Sequence, residues 1–187
     1  MKILLHTCCG PCTIVPLREL RGEGAEVFGA YLNPNIQPYT EWQRRLDALE
    51  ALAAAQELRL LPEQPYEPVE WLRSVVFRER ERCRPCYHGR LRGAALLARR
   101  GRFDAFTTTL LYSKFQKHDL IAEIAAAVAA EVGVPFLYRD WRGGWADGVE
   151  ASRAMGLYRQ PYCGCIYSEW ERYAPRQSRK TRPEPPT

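Results

Sequence analysis

The sequence predicts a single α/β domain with a mainly parallel sheet, and three observations support this fold class. Short apolar runs of strand length alternate with longer segments of helical apolar periodicity. Hydrophobic residues make up 46% of the 187 residues, which is enough to build a core. The length suits one domain and is short for two. We therefore expect one domain over residues 1–171 and a basic, disordered tail over residues 172–187.

Five apolar runs are predicted to be strands, at residues 2–6, 27–32, 58–61, 103–109 and 134–138. The first run shows no alternation, which is typical of a central parallel strand. Helices are expected at residues 11–21, 68–78 and 120–131. Three more are expected: one that begins at residue 40, one that ends at about residue 100 and one that ends at residue 155. The helix from Thr40 has the clearest signal, because Thr40 can cap it and Leu46, Leu49 and Leu52 form an apolar stripe.

Composition also bears on location. No apolar run approaches the roughly 20 residues that span a bilayer. Only Lys2 precedes the first apolar run, so no signal peptide is expected. We therefore expect a cytoplasmic protein without membrane contact. In a reducing cytosol, seven clustered cysteines argue against a structural disulfide framework and for metal or redox chemistry.

Three cysteines fall in the segment HTCCGPC at positions 6–12, directly after the first predicted strand. Pro11 suits the first position of a helix, so Cys8, Cys9 and Cys12 are expected in the turn at the positive end of that helix. This setting favours the thiolate form, which binds metals and does redox chemistry. Sites form at the carboxyl ends of parallel strands, so the loop from Leu110 and the Trp-Gly loop at 140–148 are expected to line the same pocket.

A second set, Cys83-x-x-Cys86, has a spacing that can place two thiolates on one metal centre. Together with the first set it offers five candidate thiolates, and four are enough for a [4Fe-4S] cluster or for zinc. Adjacent cysteines suit a cluster better than a single tetrahedral ion. Three roles stay open for Cys12: a cluster ligand in place of Cys8 or Cys9, a ligand of a second metal, or simply the start of the helix.

The third set is Cys163-Gly164-Cys165. A disulfide closed across one residue is strained and easily reduced, and such bonds tend to be catalytic or regulatory. Gly164 supplies the backbone freedom that this small ring needs. We favour a redox pair over the alternative, in which both cysteines are further metal ligands.

Histidines and neighbouring polar residues are the other candidates for chemistry. His6 is expected to be a hydrogen-bonded core residue. Reduction that expels an oxygen needs a proton donor. His118 and Asp119 are candidates, together with Tyr112 and Lys114.

Residues 78–102 carry nine arginines and only two acidic residues. A second basic stretch in the tail and many aromatic residues accompany them. Basic surface together with stacking rings suits RNA with unstacked bases. We therefore expect Arg84 and Arg90 to contribute to RNA binding.

Four segments, at residues 5–12, 83–87, 107–119 and 158–168, together resemble the cobalamin-independent epoxyqueuosine reductases. The resemblance runs from residue 1 to about 169. It implies a Rossmann-like α/β sheet related to nucleotide-binding α-hydrolase and PP-loop domains. It also implies the last step of queuosine biosynthesis, in which an epoxide on the wobble base of tRNA with a GUN anticodon is reduced to the cyclopentene. An external electron donor would supply the electrons, and no cobalamin is expected.

The same resemblance implies roles for all seven cysteines. The ligands of the [4Fe-4S] cluster would be Cys8, Cys9, Cys83 and Cys86. A redox-active disulfide would join Cys163 to Cys165, and Cys12 would bind an additional iron. Two other functions remain: an ATP-dependent tRNA sulfur transferase, and a zinc-stapled RNA-binding module without catalysis.

Overall fold

Four parallel strands form the centre of the fold in the computed structural model, which describes residues 1–62 and 65–175. They are β1 (Lys2–Thr7), β2 (Glu26–Tyr31), β3 (Arg59–Leu60) and β4 (Ala105–Thr108). Their order is β3-β2-β1-β4, and every neighbouring pair is parallel. The central strand β1 is buried almost throughout, which explains its apolar run. The predicted Rossmann-like α/β domain is confirmed.

Seven α-helices of the described residues surround this sheet. They are α1 (Gly10–Gly22), α2 (Tyr39–Ala55), α3 (Pro68–Val75), α4 (Cys83–Arg100), α5 (His118–Val132), α6 (Trp145–Ala154) and α7 (Ile166–Tyr173). Helix α1 packs against α2 and α6, and α4 packs against α5. Pro11 lies in the first turn of α1, as predicted. None of the helices in the described ranges combines the length and the apolar character needed to cross a bilayer.

The strand predicted at residues 134–138 is reduced to one isolated bridge, between Phe106 and Phe136. The N–H groups of Phe106 and Leu137 bond across this bridge at 3.0 and 2.8 Å. Pro135 has no N–H and so cannot extend the ladder. The prediction of a fifth strand is therefore wrong in its extent.

The end of the chain also differs from expectation. Helix α7 has no counterpart among the predicted helices, and it runs through the expected boundary at residues 171–172. Residues 176–187 of the predicted basic tail lie outside the described residues. The domain boundary itself stays a prediction.

Candidate active site

The turn between β1 and α1 gathers three buried thiols. The Sγ atoms of Cys8, Cys9 and Cys12 all lie within 4.8 Å of one another, and those of Cys8 and Cys9 are 3.8 Å apart. The turn is tightly packed, because Gly10 lies against the backbone of α2. An ideal Cβ at Gly10 would be 2.3 Å from the carbonyl oxygen of Ala48. The position of the three thiols is therefore set by helix packing.

Two side chains from distant segments donate hydrogen bonds to these sulfurs. The Thr109 hydroxyl, which follows β4, donates to Cys8 Sγ at 3.3 Å. Gln160 Nε2 lies 3.0 Å from Cys9 Sγ and 3.5 Å from Cys12 Sγ. Donors of this kind stabilise negative charge on sulfur. The turn is thus prepared for thiolates.

The three thiols share their charge unequally. Hydrogen bonds from Cys12 and Cys9 hold the pKa of Cys8 well below its usual value. Burial raises the pKa of Cys9, and donation to Cys8 raises the pKa of Cys12. Three soft donors that converge around one preferred thiolate fit a thiophilic centre such as zinc or iron–sulfur. The chemistry of this donor set therefore agrees with the predicted metal.

The second cysteine set begins helix α4. Cys86 is buried in a small apolar cluster with Trp71, Val75 and Cys165, while Cys83 is half-buried. Burial raises the pKa of Cys86 to about 12. Within the described residues, the group of potential metal ligands whose atoms lie within 4.8 Å of one another contains the β1–α1 cysteines and not this pair. The sharing of one centre by Cys83 and Cys86 stays a prediction.

Arg90 connects the first two cysteine sets. Its guanidinium is 2% exposed, donates to Asn33 Oδ1 at 2.6 Å and contacts Cys86 Sγ at 3.9 Å. The same charge acts electrostatically on Cys8 and Cys163. Arg90 is buried in the wall of a cavity, so the expectation that it lies on an exposed RNA-binding surface is wrong.

The rest of the arginine-rich stretch is partly neutralised. Three of its arginines form ion pairs with glutamates: Arg82 with Glu171, Arg84 with Glu123 and Arg92 with Glu131. An RNA-binding role for the exposed Arg84 stays a prediction.

The third cysteine set lies in a segment without regular secondary structure before α7. Cys163 is exposed and Cys165 is buried, and both are free thiols. Gln116 Nε2 donates to Cys163 Sγ at 3.2 Å, and Tyr87 donates to Gln116 Oε1 at 2.8 Å. Desolvation by the surrounding protein atoms raises the pKa of the Cys163 thiol. Gly164 has a φ of +145°, in agreement with the backbone freedom expected of it.

Arg45 of α2 holds this segment in place. Its side chain is 1% exposed and donates to Glu41 Oε1 at 2.7 Å. It also donates to the carbonyl oxygens of Cys163 and Tyr162, at 2.8 and 2.9 Å. The N–H of Gln37 donates to the Gly164 carbonyl at 2.9 Å. The segment is therefore fixed mainly by polar contacts.

A cavity of about 510 Å³ brings the segments together. Cys8, Cys12 and Cys163 all line it. Polar and aromatic side chains also line the cavity, among them Arg45, Arg90, Phe115, Trp145, Arg159 and Gln160. The loop after β4 and the Trp-Gly loop both contribute to the lining, which confirms that they share one pocket. Its volume lies in the range of small-molecule sites.

Two of the predicted proton donors lie elsewhere. His118 is buried at the start of α5, 2.9 Å from the Tyr138 hydroxyl, and Asp119 is exposed beside it. Neither belongs to the cavity lining, whereas Tyr112 does. A proton-donor role for His118 and Asp119 stays a prediction, and of the predicted candidates Tyr112 is the one that reaches the cavity.

His6 is a core residue, as expected. Its Nε2–H donates to the Leu32 carbonyl at 3.2 Å, and its Nδ1 accepts from the Thr108 hydroxyl at 2.8 Å. Burial lowers its pKa to about 3. The ring is therefore neutral at physiological pH.

The sequence did not identify Arg45, Gln116 and Gln160 as residues of the site. It also did not predict that Arg90 is buried there. Arg45 and Arg90 sit in helices, where a charged residue is normally read as solvent-facing. Their partners come from distant segments, so no local pattern could have identified them. Gln160 and Gln116 lie close to Cys163 and to the Tyr112 loop, which is the one available signal.

Comparisons with known proteins point to one family. A family model described as epoxyqueuosine reductase QueH matches residues 3–171. A relative of that name from Dehalococcoides mccartyi is 38% identical over 172 residues, covering 92% of this chain and 94% of the relative. One from Thermotoga maritima is 32% identical and covers 91% of each chain. A solved structure of the glycotransferase of kitacinnamycin matches 83% of this chain and 36% of its own length, with a TM-score of 0.37 and 16% identity.

Proposed function

The chain belongs to the epoxyqueuosine reductase QueH family, and from this premise we propose how its cysteines divide the reaction. Membership makes it an oxidoreductase of queuosine biosynthesis that acts on tRNA. We propose that it reduces epoxyqueuosine at the wobble position of tRNA with a GUN anticodon. The epoxide takes up two electrons and two protons, and gives the cyclopentene and water.

The observation that carries the proposal is the shared cavity. Cys8, Cys12 and Cys163 line one space with two buried guanidinium groups, those of Arg45 and Arg90. Sulfur ligands and a redox thiol can therefore meet the same substrate. The positive charges suit a site in which thiolates accumulate.

The proposed cluster ligands are Cys8, Cys9, Cys83 and Cys86, with an additional iron at Cys12. When bound, the cluster would supply electrons one at a time, and the additional iron would supply a Lewis acid for the epoxide oxygen. Support comes from Arg90, which contacts Cys86 and acts on Cys8 through its charge. Gln160 adds hydrogen bonds to the sulfurs of Cys9 and Cys12. Such outer contacts orient ligands and tune their charge.

Cys163 and Cys165 are proposed as the redox pair. Oxidation of this dithiol to a disulfide releases two electrons and two protons, the stoichiometry that the epoxide needs. An external electron donor then restores the dithiol. Because Cys163 is exposed to the cavity and Cys165 is buried, Cys163 is the thiol that an incoming donor meets first.

Anaerobic purification with iron and sulfide analysis tests this division. The wild type should hold about four irons with matching sulfide, plus the additional iron. Cys8→Ser and Cys86→Ser should lose the cluster. Cys163→Ser should keep its iron and complete at most one turnover on epoxyqueuosine tRNA. Zinc in place of iron, or an iron-free Cys163→Ser variant, would contradict the proposal.

The two other predicted functions make different demands. A sulfur transferase needs ATP, so tight nucleotide binding would favour it. A zinc-stapled module would be colourless and catalytically inert. Membership of an oxidoreductase family argues against both.

A further inference from the structure

An aromatic surface stands at the edge of the cavity and has no part in the chemistry above. Phe115 is 82% exposed, and its ring meets Trp145 edge to face at 5.5 Å between centroids. Trp145 in turn stacks on Tyr112 at 5.2 Å, with 27° between the ring planes. All three residues line the cavity. We call Phe115, Trp145 and Tyr112 the aromatic platform.

The platform is built to be rigid. The Tyr112 hydroxyl donates to the Trp145 carbonyl at 3.2 Å. An ideal Cβ at Gly148 would be 2.2 Å from that hydroxyl, so glycine is what lets α6 pack against Tyr112. The Ser113 hydroxyl accepts from the Phe115 N–H at 3.3 Å and fixes the loop that presents Phe115 to solvent. The exposed ring therefore rests on a fixed support.

Exposed cations lie beside the platform, and the acidic residue that acts on Tyr112, Asp147, is paired with Arg18 at 3.5 Å. Arg159 is exposed and lines the cavity, and Lys114 and Lys117 are exposed on the loop beside Phe115. The acidic residue of the cavity lining, Glu171, pairs with Arg82 at 2.6 Å. An exposed ring next to exposed cations is the combination that binds an unpaired base and its phosphate.

We propose that Phe115, supported by Trp145, stacks on the unpaired base next to the target nucleotide, while Arg159 binds a flanking phosphate. This inference rests on the proposed function, because it assumes that the modified base of a single-stranded loop enters the cavity. Phe115 then replaces the stacking contact that the neighbouring base loses when the target base leaves the loop. The platform thereby selects single-stranded RNA over a duplex, whose bases stay paired and stacked.

Substitutions at Phe115 test the stacking, with RNA affinity as the readout. The probe is an anticodon stem-loop RNA, titrated onto the metal-loaded protein at several salt concentrations. Phe115→Ala and Phe115→Leu should both weaken binding, by about 5- to 100-fold, because neither keeps a π-face. Phe115→Trp should bind like the wild type. Because Phe115 is exposed, none of these changes threatens the fold.

Two further variants provide the control and the charge test. Phe77→Ala is the matched control, since Phe77 is 89% exposed and lies outside the cavity lining. It should leave the affinity unchanged. Arg159→Gln should reduce the slope of log K against log salt by about 0.7, the value of one phosphate contact on a single strand. The Phe115 variants should leave that slope unchanged.

Several results would overturn the platform. An RNA affinity equal to that of the wild type in Phe115→Ala would overturn it. The same result in Phe115→Leu would also overturn it, because an ordinary apolar contact of the kind found in protein–protein interfaces would then be enough. An equal loss in Phe77→Ala would also count against it. Failure of the proposed function appears elsewhere, in the iron content and the turnover of wild-type protein saturated with RNA. The two proposals can therefore fail separately.

Discussion

The first and third cysteine sets reach the same cavity but are held there in different ways. Cys8, Cys9 and Cys12 belong to the main apolar core, between the central strand and a helix packed against it. The Cys163–Cys165 segment has no regular secondary structure and is tied down by hydrogen bonds, chiefly from Arg45 and Gln37. The first set is positioned mainly by packing, and the third mainly by polar anchors, with Cys165 also packed in the small apolar cluster of Trp71, Val75 and Cys86.

This difference matches the chemistry proposed for each set. Metal ligands need fixed positions, which close packing of β1, α1 and α2 supplies. A dithiol that opens and closes must change its sulfur positions in every cycle, and a segment held by separable hydrogen bonds can accommodate this. The comparison makes three predictions, in which one set responds and the other does not.

Replacement of Arg45 should have the largest effect. Arg45→Met leaves the buried Glu41 carboxylate without its cation, although the Tyr158 hydroxyl still donates to it, and leaves two backbone carbonyls without their donor. The free energy of unfolding should fall by about 3–5 kcal/mol, measured by urea denaturation. Hydrogen exchange should rise most across residues 158–166, whereas the amides of β1 should lose only the protection that corresponds to the fall in the free energy of global unfolding.

A matched control and a partial rescue accompany this variant. Arg73→Met removes an exposed ion pair with Glu70 and should change stability by less than about 0.5 kcal/mol. Glu41→Gln combined with Arg45→Met should recover part of the loss, because no unpaired charge is left buried. If exchange across residues 158–166 rose no more than exchange in β1, the two sets would not be held independently.

Gly10→Ala should act on the first set. A Cβ at Gly10 meets backbone atoms of Ala48 and Leu49, which cannot move aside as a side chain can. Stability should fall by about 2–3 kcal/mol, and bound iron should fall with it. Gly89→Ala is the control: Gly89 lies within α4 with nothing near its missing Cβ, so alanine should stabilise by about 0.5–1 kcal/mol. Equal stability of the two variants would contradict the packing argument.

The contrast between packing and polar anchors also explains how much the sequence could predict. Strand β1, the start of α1 at Pro11 and the core position of His6 follow from apolar pattern and turn chemistry, and the structure agrees. Helix α7 was readable too, since Ile166, Trp170 and Tyr173 repeat at helical spacing. The fifth strand was overestimated because Pro135 interrupts its ladder.

Local sequence patterns could not predict the polar side chains of the site. Arg90 and Arg45 look like surface charges in their helices, yet each is buried against partners from other segments. Burial of a charge depends on those remote partners, and no periodicity encodes them. Motif spacing therefore identified the cysteines but not the guanidinium and amide groups that surround them.

Gly164→Ala should produce the smallest change in stability and the most selective one. Alanine at a φ of +145° costs about 1–2 kcal/mol of backbone strain, and its Cβ would lie 3.0 Å from Ile36. Iron content should match the wild type, whereas the thiol–disulfide equilibrium of Cys163 and Cys165 with glutathione should shift. Gly156→Ala separates strain from position, because Gly156 also has a positive φ, of +63°, but nothing near its missing Cβ. Gly156→Ala should lose similar stability and leave the thiol–disulfide equilibrium unchanged. A shift of that equilibrium in both variants would trace the effect to general destabilisation. Loss of iron from Gly164→Ala would contradict the claim that the two sets are held separately.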